Sequence, residues 1–98
     1  LPLNANVGPE LWMDGVLKKE VDGEEKEITY RFNLNTATAG FLSAIGFGDE
    51  MALDIVRARD AKGFCESEQD LRGVIPGDAI EMLSMMRQLY ARGLADKH

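Results

Sequence analysis

One cysteine, Cys65, and one histidine, His98, are all that this 98-residue chain has of the two side chains most used for metal binding and nucleophilic chemistry. A lone cysteine excludes an internal disulfide framework and any multi-cysteine metal cage. The histidine is the terminal residue, where chains usually fray, which argues against a His-based triad, metal site or acid/base pair. No apolar run approaches the ~20 residues that cross a bilayer, so no membrane insertion is expected. No charged-then-apolar secretory leader is visible either. The chain opens at Leu1 without an initiator Met, and a processed product or a piece of a larger protein is expected. Positive charge is also scarce: 11 Lys and Arg stand against 17 Asp and Glu, a net charge of −6. The deficit is even, with −3 over residues 1–32 and −3 over residues 33–98. Affinity for nucleic acid comes largely from Lys and Arg displacing phosphate counterions, so both halves are handicapped there and at anionic membranes.

What remains is an ordinary soluble composition, 45% hydrophobic and 29% charged, and room for one small domain. Residues 1–10 read as an entry loop. Leu11-Trp12-Met13 is a short apolar run closed by the turn pair Asp14-Gly15, and Val16 to Val21 is a candidate strand before a second turn signal at Asp22-Gly23. From Glu27, Ile28, Tyr30, Phe32 and Leu34 alternate with Thr29, Arg31 and Asn33, the strongest strand signal in the chain. Residues 11–34 therefore read as a β-hairpin or three-stranded meander with one face to be covered.

After Asn35 the period changes. Thr36 or Thr38 serves as an N-cap for a short helix carrying Phe41, Leu42 and Ile45 and ending at Gly46. A second helix starts near Asp49, shows Ala52, Ile55, Val56 and Arg59 at i, i+3, i+4, i+7, and ends at Gly63. Ser67 with Asp70 resembles a capping box opening a third, short helix through Leu71. After the break at Pro76-Gly77 a fourth helix runs from about Asp78 to Arg92, with Gly93 as its C-cap. The pairs 38–62 and 67–92 look like a loose duplication.

The most informative segment runs from Leu42 to Ile55 and centres on Gly46-Phe47-Gly48. Glycines on both sides of an apolar residue permit a tight turn between two helices, with the middle side chain plugged between them and Ala52 allowing close approach. Amides at such a turn lie at a helix start, where they suit an anion.

On these residues the stretch 33–83 resembles the helix-hairpin-helix domain of the ComEA type, found in bacterial DNA-uptake receptors. The resemblance begins at Asn33-Leu34-Asn35-Thr36-Ala37-Thr38 and continues through Gly46-Phe47-Gly48, Ile55-Val56, Arg59, Gly63, Ser67 and Asp70-Leu71. It covers about half the chain. A minor pseudopilin of type II secretion and an extrinsic photosystem protein look similar in this region, and both are associated with protein assemblies, so the fold alone leaves the function open. The resemblance implies a tandem helix-hairpin-helix unit (SAM-like), an envelope or secreted setting, and phosphate binding at Gly46, Phe47 and Gly48. The chain departs from the pattern at Ala44-Ile45, where a proline is usual before the first glycine. It departs again at Asp49 and Glu50, where DNA-binding members often carry Pro and Lys; two carboxylates there repel a phosphate. The second hairpin reads Val74-Ile75-Pro76-Gly77-Asp78-Ala79, without the glycine pair.

Beside each functional reading stands a structural one. Gly46-Phe47-Gly48 is read as a tight interhelical turn with Phe47 buried. Arg57, Arg59 and Lys62 are read as solvated and paired with Asp54, Asp60 and Glu66. In the last helix, Leu83, Met86 and Tyr90 form one apolar stripe that Met82, Met85 and Leu89 extend to about half the circumference, wider than the ~100° of an ordinary surface helix. Met82, Met85 and Leu89 are the candidate partner interface, since methionine suits adaptable contacts. The favoured alternative is burial on two sides, between the first hairpin and the β segment. Trp12 reads as a core anchor and Cys65 as a buried structural thiol. Asp49 and Glu50, about 100° apart on a helix, do not converge as an acid/base pair, and Asp22-Gly23-Glu24-Glu25 lacks calcium-loop spacing.

The fold expected is α+β: an N-terminal loop and β element over 1–35, a four-helix unit over 36–93, and a tail over 94–98. The function expected is a non-catalytic protein-interaction or scaffolding module that needs no cofactor and meets an unidentified protein partner. Non-specific DNA binding through Gly46-Phe47-Gly48 is the alternative, and no constellation of residues suggests an enzyme.

Overall fold

The computed structural model describes residues 9–93; the tail 94–98 with His98, and all but the end of the expected entry loop, lie outside them. Strands β1 (Trp12–Val21) and β2 (Glu24–Asn33) form an antiparallel hairpin. Then come helix α1 (Ala39–Leu42), a widened turn of π type (Ser43–Phe47), helix α2 (Asp49–Lys62), one 3-10 turn (Glu68–Leu71) and helix α3 (Gly77–Ala91). The class is α+β, as the residue periods predict.

Asp14-Gly15 is not a turn. The pair lies inside β1, with Asp14 opposite Arg31 and Gly15 opposite Tyr30. The buried Asp14 carboxylate accepts from Arg31 Nε at 3.2 Å, so its charge is compensated within the ladder and the strand continues. The chain reverses only at Asp22-Gly23, where φ is +54° and +81°, the paired positive angles of a type I′ turn. The meander alternative and the four-helix unit are also absent among the described residues, which hold two strands and three α-helices. The capping box does form: Ser67 Oγ accepts from Gln69 N and Asp70 Oδ2 from Ser67 N. It closes only a single 3-10 turn, because Gly73 sits at φ +87° and Pro76 biases Ile75 away from helix.

The inward face of the hairpin carries Leu11, Met13, Gly15, Phe32 and Leu34. Ile45 and Met86 approach Gly15 from the helices. One buried cluster joins this face to Leu42, Ile55, Leu71, Ile75, Ile80 and Leu83. Phe41 packs its ring against Phe32 and Tyr30, with centroids 5.2 and 6.1 Å apart. Beyond Ile28 the helices no longer cover the hairpin, and Lys18–Glu20 and Asp22–Glu27 are exposed. Trp12 is half-buried and outside the core cluster, so it is not the anchor its size suggests. It stands opposite Asn33, on the face that alternation turns away from Met13 and Phe32.

The junction between hairpin and helices is polar and tightly bonded. Asn33 Oδ1 accepts from Leu11 N and Asn35 N, both at 3.0 Å. Asn35 bonds the Cys65 peptide from both ends: its Nδ2 donates to Cys65 O (2.8 Å) and its Oδ1 accepts from Cys65 N (2.7 Å). Thr38 caps α1 by accepting from Phe41 N. Arg59 is the correction among the basic residues of α2. It pairs with Asp60 at 3.1 Å, but it is buried, and its Nη1 donates to Leu34 O and Ala37 O. Those carbonyls belong to the link between strand and helix, which no ladder serves.

Replacing Arg59 by Ala leaves both buried carbonyls without their donor. Urea denaturation of Arg59→Ala should show a loss of about 3 kcal/mol, and Arg59→Lys should recover only part of it, since an ammonium lacks the guanidinium fork.

Candidate functional site

Gly46 has φ +126° and ψ −5°, and Gly48 has φ +82° and ψ +160°. Both lie where side-chain-bearing residues are strained, which is why this turn needs its two glycines. Between them Phe47 is half-buried and packs against the core cluster. A Cβ on Gly46 would stand 3.3 Å from Met82 Cε, so a side chain of α3 already lies against the turn. Asp49 opens α2 and accepts from the Ser43 hydroxyl across the turn. Glu50 follows in the same first turn of α2.

The structure brings two separately expected sites together. Gly46 and Phe47 from the turn, Met51 from α2, and Asp78, Ala79 and Met82 from α3 line one open cleft of about 180 Å³. Gly48 is exposed at the turn and is not part of that lining. Asp49, Glu50 and Asp78 thus place three carboxylates on and around the region where the resemblance implies a phosphate. Met82 and Leu89 are half-buried and Met85 is 54% exposed. Two-sided burial of this helix is therefore partial: Met86 approaches Gly15 of β1 and Met82 lies against Gly46 of the helical turn. α3 buries Ala79, Ile80, Leu83 and Met86, while Met85 stays turned outward. Among the described residues, Leu53, Phe64 and Val74 are the other large exposed apolar side chains.

Three polar features escape sequence periodicity. Glu68 is buried beneath α3, accepting from Ser84 Oγ at 2.7 Å and from Arg87 Nη1 at 3.0 Å. Arg87 also donates to Ser67 Oγ at 3.2 Å. These bonds fasten the 3-10 turn to α3, and a second cleft of about 480 Å³ opens beside them. Burial pushes the Glu68 carboxyl up, but the Ser84 hydroxyl and Arg87 guanidinium outweigh it, so it titrates below the ordinary glutamate value. Asp14 is the second feature: Oδ1 holds Arg31, while Oδ2 has no hydrogen-bond partner among the described residues. Arg31 lies 4.8 Å from the centre of the Tyr90 ring, a cation–π contact from β2 to α3. The third is Arg59, described above. Cys65 is fully buried, as its surroundings predict, and burial followed by the nearby Asp70 charge pushes its thiol up. That disfavours the nucleophilic thiolate.

Among the described residues no group of three His, Cys, Asp or Glu could hold a metal ion, and no helix is long and apolar enough to cross a membrane. Comparison with family models, with curated proteins and with solved structures returned no match.

Gly46→Ala should cost about 1–3 kcal/mol from backbone strain, with Met82 displaced, readable as a lowered Tm and a shifted Met82 methyl resonance. Glu68 yields a pH dependence. Its folded pKa is depressed, so its contribution is full above the unfolded value of about 4.3 and fades as pH falls through the folded value. Thermal melts from about pH 6 to pH 3 should show Glu68→Gln losing less stability on acidification than the parent.

Proposed function

We propose that this chain is a non-catalytic binding module of helix-hairpin-helix type that engages a protein partner. The observation that carries the reading is the state of the Gly46-Phe47-Gly48 turn. Met82 lies against Gly46, and acids flank the turn at Asp49, Glu50 and Asp78. A polyanion approaching those amides would meet like charge on a chain already at −6. An adaptable apolar surface meets no such penalty. Phe47, Met51 and Met82 line the cleft, with Met85 exposed on the same helix, and pliable methionine side chains suit contact with a protein. The resemblance of residues 33–83 to ComEA-type domains supports the helix-hairpin-helix assignment, and it keeps DNA as the alternative. The absence of a histidine or thiolate constellation in the sequence supports a role without catalysis.

Selection of a displayed peptide library against the folded chain tests this. Apolar or amphipathic peptides should emerge, should shift the Met82 and Met85 methyl resonances, and should lose binding at least tenfold in Met85→Glu while the fold is retained. Salt-sensitive, sub-micromolar retention of duplex DNA, abolished by Gly48→Glu, would instead establish the DNA reading.

A further inference from the structure

The hairpin carries a second recognition surface on its outer edge. Antiparallel ladders alternate hydrogen-bonded and non-bonded pairs. The two-residue turn makes Val21–Glu24 a bonded pair, and Leu34 N donating to Leu11 O at 2.9 Å continues the same phase at the far end. The even-numbered residues of β2 therefore point their amides and carbonyls at β1. Glu25, Glu27 and Thr29 point theirs away. Among the described residues nothing pairs with those outward groups, and the sheet has only two strands. Further along, the edge closes, because Asn33 O accepts from Thr36 N and Ala37 N. The open stretch is thus a short template with its ladder groups unmet, the feature to which extended chains add.

Charge decides what fits it. The face holding Glu25 and Glu27 also carries Lys18 and Glu20, three acids around one base, and Glu20 stands directly opposite Glu25. Like charges directly opposed destabilise a ladder, and cations set beside them relieve that repulsion. On the other face Ile28 is half-buried beside Leu17, past the cover of the helices. A second copy of this chain would bring its own acidic edge and a net charge of −6, which opposes self-pairing. We infer that the β2 edge from Glu25 to Thr29 accepts an extended basic segment of a partner protein. That segment adds as an antiparallel third strand, with Lys or Arg opposite Glu25 and Glu27 and an apolar residue opposite Ile28. The inference is independent of the cleft at Gly46 and Met82.

The test uses the whole chain and two synthetic peptides, Val-Thr-Val-Lys-Thr-Lys and its acidic twin Val-Thr-Val-Glu-Thr-Glu. In an NMR titration the basic peptide should shift the amides of Glu25, Glu27 and Thr29, weaken at least threefold on raising salt, and outbind the acidic twin about tenfold. Thr29→Pro removes an outward amide without touching the β1 ladder, so it should abolish binding while hairpin and helix resonances persist. The double variant Glu25→Lys/Glu27→Lys should reverse the preference. Shifts confined to Met82 and Met85 would overturn this inference while favouring the cleft reading. A dimer by sedimentation that Thr29→Pro converts to monomer would assign the edge to a second copy and overturn it equally. Absence of edge shifts with either peptide would also overturn it.

Discussion

A buried guanidinium holding two carbonyls of the chain as it leaves the hairpin is the contact on which the rest of the arrangement depends. Arg59 reaches from α2 to Leu34 O and Ala37 O, so the first long helix is fastened to the strand–helix link rather than merely packed beside it. Asn35 extends the fastening to Cys65 and Asn33 extends it to Leu11. Each of these groups would be costly if left unpaired in the interior, and together they set where α2 begins its return. The segment Asn33 to Thr38, which carries the opening of the ComEA resemblance, therefore has a structural task here. Its side chains complete backbone hydrogen bonds that neither sheet nor helix supplies.

That junction positions both candidate surfaces. With α2 held against the strand exit, the Gly46-Phe47-Gly48 turn is brought to the start of α3, where Met82 closes beneath Gly46 and the cleft forms. α3 in turn packs against β1 and is tied to the 3-10 turn through Glu68, Ser84 and Arg87. Because the helices reach only the proximal part of the hairpin, its distal part stands clear. The cleft combines the apolar Phe47, Met51 and Met82 with the Asp78 carboxylate, and the strand edge is charged with Ile28 and Leu17 on its other face.

The strand of alternating Ile28, Tyr30, Phe32 and Leu34 was legible because period-2 burial is a local pattern. So were a threonine cap at Thr36 or Thr38, the Ser67–Asp70 box and the Gly63 end of α2, which depend on residues a few positions apart. Asp14-Gly15 misleads for a related reason. Locally it has turn chemistry, and only Arg31, 17 residues later, makes it strand. Arg59 and Glu68 resemble solvated helix charges, since nothing nearby announces that Leu34 and Ala37 or Ser84 and Arg87 will enclose them. Gly46 and Met82 were each visible as candidates, yet 36 positions of sequence hid that they share one cleft.

Sequence alone determined the α+β class, the reversal at Asp22-Gly23, the glycine requirement of the helical turn and the acidic balance that disfavours polyanions. Each follows from short-range sterics or from summed charge, which need no knowledge of the packed state. Tertiary structure decided which charges are buried, which flank of α3 stays open and which edge of the hairpin lacks a neighbour. Those properties belong to contacts between distant segments, whose energies come from desolvation and pairing that exist only once the chain has closed on itself.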